Sequence, residues 1–158
     1  VWTLALDAVL RWDGTRLQRL PLAEGEDAHA MAFAPDGTLW VARFGALERY
    51  RRDGNVLRRL RRIDGDDGLP ALEVRGLIVS GDGLVWATTM RGLLQVDVRL
   101  GRARLYSMQD GLPGLDFTMN APQRSRSGED PAVALAAGGL VRFDPDTPLP
   151  AALPPSLH

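Results

Sequence analysis

Few residues in this chain are equipped for catalysis. His29 and His158 are its two histidines, and there is no cysteine to serve as nucleophile, metal ligand or disulfide partner. No Gly-x-Ser-x-Gly segment presents a nucleophilic serine, and the Gly-rich turns lack the lysine of a phosphate-binding loop. His158 falls in a Pro-rich tail, which leaves His29 as the one acid/base candidate. Asp64-Gly65-Asp66-Asp67-Gly68 gathers three carboxylates. The spacing and terminal Glu of a twelve-residue calcium loop are absent, so a turn closed by its own side chains is the better reading. Seven arginines lie between Arg49 and Arg62. They suit an anion or a sulfated sugar, but a solvated outer edge whose charges block edge pairing is the expected role. No catalytic residue, metal or cofactor is expected.

The elements that must position these residues follow from a repeated cassette. Asp82-Gly83 is a turn, Val85–Thr88 alternates around Trp86, Arg91-Gly92 breaks the pattern, and Leu93–Val96 alternates again. This reads as turn, strand, tight connection, strand. Counting from Trp86, a small residue stands at +6 (Gly92), an aliphatic one at +7 (Leu93) and an apolar one at +10 (Val96). Trp40 repeats this with Ala46, Leu47 and Tyr50, and Trp2 with Ala8, Val9 and Trp12. Val133 takes the Trp position in a fourth copy, with Gly139, Leu140 and Phe143. The anchors are 38, 46 and 47 residues apart. Short strands at such a period predict an all-β chain of β-propeller blades, about four repeats forming an incomplete propeller.

The blades are expected over 1–22, 28–63, 74–106 and 117–145, within a propeller portion covering 1–148. A Pro-rich exit linker follows over 149–158. The expected strand counts are three, four, four and three. The first blade lacks its innermost strand and the last its outermost. No segment shows helical periodicity.

Hydrophobic content of 45% with 25% charged residues places the chain among soluble globular proteins. A net charge of −1 gives no reason to expect nucleic acid or an anionic membrane as partner. No apolar run approaches the roughly 20 residues of a membrane span. The chain opens at Val1-Trp2, inside a repeat, so any targeting segment is expected upstream.

Propellers place their sites at the rim of the central channel, on the face bearing the outer-to-inner connections and the second-to-third-strand turns. Here that rim comprises Asp7, Arg43, Phe44, Met90, Arg91 and the segment near Asn120. These are the expected ligand-binding residues. The flanking Asp67 and Asp110 are expected to cap their own turns, and the tryptophans to pack between blades.

Blades two and three are each followed by the same loop, Asp67-Gly68-Leu69-Pro70 and Asp110-Gly111-Leu112-Pro113. This loop, then an aliphatic strand, then Gly83-Leu84-Val85-Trp86-Ala87-Thr88-Thr89 and Gly92-Leu93, resembles the two-component-regulator propeller repeat. Gly138-Gly139-Leu140-Val141-Arg142-Phe143-Asp144-Pro145 resembles the last blade of such propellers. The loop before blade two, Ala23–Asp27, departs from the pattern, and the usual ring of seven blades needs about twice this length. The resemblance implies a periplasmic sensor region of a bacterial receptor that binds a small molecule or oligosaccharide. It implies a parent anchored in the inner membrane by a downstream segment, with a histidine kinase or diguanylate cyclase output, and a module that is not itself an enzyme. The alternatives are a propeller enzyme of the streptogramin-lyase kind, which would use His29, and a protein-binding scaffold. An open arc exposes blade faces, so self-association into a homo-oligomer is expected.

Overall fold

Period-2 alternation sets the architecture. The computed structural model describes residues 1–119, 122–124 and 131–150, and its regular structure is β apart from two single 3-10 turns. The first sheet contains β1 (Trp2–Leu4), β2 (Ala8–Trp12) and β3 (Leu17–Pro21). The second is β4 (Ala28–Phe33), β5 (Leu39–Arg43), β6 (Ala46–Asp53) and β7 (Val56–Ile63). The third is β8 (Val74–Val79), β9 (Leu84–Thr89), β10 (Gly92–Asp97) and β11 (Arg102–Tyr106). The fourth pairs β12 (Ala132–Ala136) with β13 (Gly139–Phe143). Every sheet is an antiparallel meander in chain order.

The cassette maps onto equivalent places. Trp2 lies opposite Arg11, Trp40 opposite Arg49 and Trp86 opposite Gln95. Because side chains alternate between sheet faces, each Trp and the aliphatic residue seven positions on share a face. Leu39, Val41 and Tyr50 pack against Val9, Leu20 and Leu22 of the first sheet. On the other face Trp40, Ala42 and Leu47 meet Leu77, Val85 and Leu94 of the third. Trp86 and Leu93 then face Phe117, Ala134 and Val141 of the fourth. Trp40 and Trp86 are both buried.

The first strands of neighbouring sheets converge, β4 lying against β8. They form the inner end of the blades. One end of every sheet carries the β1–β2, β5–β6, β9–β10 and β12–β13 turns together with the connections from each sheet to the next. Gly45 N–H donates to Leu72 O at 3.2 Å and Ala137 N–H to Asp116 O at 2.9 Å, tying turns to connections at this end.

One expectation is corrected. A strand opening the fourth sheet at Phe117 is expected, but the described residues 117–119 show a single bridge, Phe117 to Ala136, and a second bridge joins Gln123 to Val133. Among the described residues the chain beyond β13 adds no outer strand. It crosses back over the third sheet, where Trp86 Nε1–H donates to Pro145 O at 2.9 Å and Gln95 Nε2–H to Thr147 O at 2.6 Å. Arg102 follows, donating to Pro150 O at 2.8 Å. Prolines at 145, 148 and 150 lack the N–H that a ladder needs, whereas their carbonyls still accept. Residues 151–158 of the expected linker lie outside the described residues.

Candidate ligand-binding rim

The turns at the connection-bearing end bring Phe44 and Met90 to equivalent positions, four residues after their tryptophans. Phe44 is 52% exposed and Met90 46%. Leu6 holds the same position in the first sheet and is also exposed. Arg91 is exposed beside Met90, its backbone N–H donating to Thr89 Oγ1 at 3.0 Å. Asp7 is exposed and paired with Arg19. Phe44, Met90, Arg91 and Asp7 share one end of the blades. Asn120 lies outside the described residues.

Arg43 sits differently. It is 1% exposed, inside the junction between the first two sheets. Its Nε–H donates to Glu48 Oε2 at 2.8 Å and its Nη2–H to Ala23 O at 2.8 Å. Glu48 is itself 0% exposed and also accepts from Tyr50 Oη at 2.6 Å, Arg59 at 2.8 Å and Arg62 at 3.0 Å. A bulge between β6 and β7 at Arg49/Tyr50 explains the last two: it shifts the register so that Arg59 and Arg62 both reach the Glu48 face. Burial pushes the Glu48 carboxyl up, but hydrogen bonds from Tyr50 and Arg43 and the flanking guanidinium charge hold it below the usual range. Burial and the hydrogen bond to Glu48 push the Tyr50 phenol up. Arg43 therefore fastens the Ala23 connection rather than presenting charge to a solute.

The inner strands hold a feature that the sequence reading missed. Pairing of β4 with β5 jumps from Ala28 to Ala30, and that of β8 with β9 from Val74 to Gly76. His29 and Arg75 are the extra residues. A bulge interrupts alternation and re-aims its side chain. Bridge partners align Ala28, Val74 and Phe117. An acid precedes each (Asp27, Glu73, Asp116), and a polar residue follows each (His29, Arg75, Thr118). That acid-apolar-polar triplet was the available sequence signal.

Arg75 spans from the third sheet to the fourth. Its Nη1–H donates to Phe117 O at 2.9 Å and lies 3.1 Å from Asp116 Oδ1, with Glu73 at 3.9 Å from its Nε. Arg75 Nε and Thr118 Oγ1 are buried atoms with no hydrogen-bond partner among the described residues. His29 lies in β4, half-buried. The two unpartnered atoms are closed to solvent, so the groups at the inner end that could hydrogen-bond a polar solute are the half-buried His29, the remaining Arg75 guanidinium N–H groups and the Asp116 carboxylate.

The loop aspartates close their own turns. Asp67 Oδ2 accepts from Asp64 N–H at 3.3 Å, and Asp110 Oδ2 from Ser107 N–H at 2.9 Å. The Ser107 N–H and Arg104 hold the Asp110 carboxyl below its ordinary value. Among the described residues no three His, Asp or Glu side chains are grouped to hold a metal ion.

No protein family model matches the chain, and no curated protein does. Solved structures do. A YCF48 structure from Cyanidioschyzon merolae superposes with a TM-score of 0.64 at 15% identity, covering 89% of this chain and 45% of that one. The XC5397 gluconolactonase of Xanthomonas campestris gives 0.58 at 23% identity, covering 87% and 44%. The extracellular domain of a B. thetaiotaomicron protein described as a one-component system gives 0.57 at 14% identity, covering 91% and 22%. The chain thus spans less than half the length of these structures. Likeness at this level shows fold alone: the protein is an all-β chain of propeller-type blades.

Proposed function

We propose that this chain is a ligand-sensing propeller portion of a bacterial signal-transduction receptor. It binds a small polar solute or an oligosaccharide at the inner rim and passes occupancy to the rest of its receptor. The observation that carries this reading is the matched bulge in β4 and β8, which sets His29 and Arg75 on one rung at the connection-bearing end. The likeness to an extracellular domain of a bacterial one-component system and the resemblance of the Asp-Gly-Leu-Pro repeats support it. On the same reading the domain is periplasmic and its parent is anchored by a downstream segment. Its output is a histidine kinase or a diguanylate cyclase, and the domain itself turns nothing over.

The test is a thermal-shift and calorimetric screen of neutral mono- and oligosaccharides and amino acids. A bound solute should lose affinity about tenfold or more in Arg75→Gln, which removes a charged hydrogen-bond donor. Arg91→Gln and Phe44→Ala are expected to lose less. Binding that ignores Arg75 would overturn the rim assignment. Turnover of a lactone or another bound solute, dependent on His29, would put an enzyme in place of the sensor.

A further inference from the structure

The blade junctions differ at the end opposite the rim, where each tryptophan sits beside a cleft. Between the third and fourth sheets the chain itself crosses the cleft, Trp86 and Gln95 holding Pro145 O and Thr147 O, and leaves a smaller cavity of about 370 Å³. Between the second and third, Arg49 lies over Trp40 at 5.9 Å, is neutralised by Asp36 and donates to Thr38 Oγ1, and Arg61 donates to Val98 O at 3.0 Å. The junction of the first and second sheets has neither device. There a cavity of about 570 Å³ is lined by Trp2, Phe33, Thr38, Arg51 and Arg52, among others.

Its charge is uncompensated. Arg11, Arg51 and Arg52 form no ion pair among the described residues, while the one carboxylate lining the cavity, Asp36, is committed to Thr38 and Arg49. Arg11 and Arg52 lie over the Trp2 ring at 5.6 and 5.7 Å, so the indole orients both guanidiniums. Trp2 meets Phe33 edge-on, ring centroids 5.3 Å apart, and Phe33 stays 44% exposed. Trp2 Nε1–H, unlike that of Trp86, has no acceptor among the described residues. The cleft thus combines fixed cations, a free N–H donor and an open aromatic face.

We propose that this cleft binds a small organic anion whose carboxylate, sulfate or phosphate is carried on a ring with an apolar face. The Arg52 guanidinium, on the β6 face that meets the first sheet, takes the anion, and Arg51 adds charge from the strand's other face at the edge of the cavity. Phe33 packs against the ring. Guanidiniums over Trp2 leave its faces unavailable for nucleobase stacking, which disfavours single-stranded nucleic acid as the occupant. A cavity of this size accepts one or two rings. This site is independent of the rim and lies at the other end of the blades.

Calorimetry on the 158-residue chain tests it with five probes: a sulfated disaccharide, phenyl phosphate, inorganic sulfate, a neutral disaccharide and a short single-stranded oligonucleotide. The sulfated disaccharide or phenyl phosphate should bind, and whichever binds tighter identifies a sugar or an aryl source. That affinity should fall about tenfold or more in Arg51→Gln/Arg52→Gln and decline with added salt. Phe33→Ala should weaken the ring-bearing probe and leave inorganic sulfate unchanged. Arg16→Gln, an exposed charge elsewhere on the first sheet, should change nothing, and melting curves of the exposed arginine variants should match the parent. Four outcomes would overturn the proposal: equal binding of the neutral disaccharide, indifference to the Arg51/Arg52 change, inorganic sulfate binding as tightly as the ring-bearing probes, or tightest binding by the oligonucleotide.

Discussion

At the scale of single residues, the most demanding group is Glu48. A fully buried carboxylate is tolerated because three arginines and Tyr50 surround it. Glu48→Gln leaves Arg43 buried without its counter-charge and should cost about 3–5 kcal/mol in urea unfolding followed by tryptophan fluorescence. Arg43→Met combined with Glu48→Leu should cost less than the sum of the two single changes, because neither charge is then stranded. The pH dependence follows from the directions. The folded carboxyl titrates below its unfolded value, so its contribution is complete above about pH 4.3 and is lost as pH falls through the lower folded value. Tyr50 titrates above its unfolded value, so its contribution is complete below about pH 10 and fades as pH rises through the higher folded value. Glycine makes a second residue-level test. A Cβ on Gly92, at φ +129°, would stand 2.1 Å from Tyr106 O, a backbone atom that cannot swing away. Gly37, at φ +79°, faces open space. Gly92→Ala should cost more than about 2 kcal/mol and Gly37→Ala about 1 kcal/mol by thermal melting.

At the scale of elements, the second and third blades are sheets with two buried faces and one tryptophan marking the leading side. Trp86 contacts the rings of Tyr106 and Phe143 at centroid distances of 5.6 and 4.9 Å and bonds Pro145 O through its indole N–H. Trp86→Ala should therefore destabilise by about 3–5 kcal/mol. Trp86→Phe keeps much of the packing but strands the carbonyl; it should cost about 1 kcal/mol more than its volume change explains. The indicated measurement is chemical unfolding of both variants, with protease sensitivity near Pro145 reporting release of the crossing segment. The strand ladder was legible because alternation and turn residues are local properties. The bulges at His29 and Arg75 were not, since an extra residue in a ladder becomes visible only when the partner strand is aligned beside it.

At the scale of the whole molecule, the two end sheets each present one face that the described residues leave uncovered. Val133, Leu135 and Leu140 lie on one face of the fourth sheet, in the places that the tryptophan and +7 residues occupy in the others, and Leu140 is 72% exposed. Trp12 and Leu17 pair on the first sheet and are likewise exposed. Apolar faces of this kind recruit a complementary sheet. We expect the chain to self-associate in the micromolar range by light scattering, and Leu140→Arg or Leu17→Arg to reduce the associated fraction with stability held within about 0.5 kcal/mol. A compact monomer with low hydrophobic-dye binding would contradict this expectation.

The primary structure alone determined the element type, the repeat and the burial of Trp40 and Trp86, whereas the expectation that every tryptophan packs between blades fails at the exposed Trp12. Each depends on the spacing of residues along one strand or turn, and Trp40 and Trp86 declare their equivalence through offsets that survive without any partner. It also disclosed the self-capping of Asp67 and Asp110, a bond across three residues. What only the tertiary structure decided was the fate of charge. Arg43 ends β5 and is buried against Glu48, whereas Arg91 stands in the β9–β10 turn and faces solvent; nothing in either arginine's local sequence says which carboxylate the neighbouring strands bring within about 3 Å. The same holds for Arg51 and Arg52, left unpaired beside Trp2 while Arg59 and Arg62, seven and ten residues further on from Arg52, are drawn to Glu48 by a single bulge. Strand periodicity is written in adjacent residues; pairing between charges is written in register, and register is settled when the sheets pack.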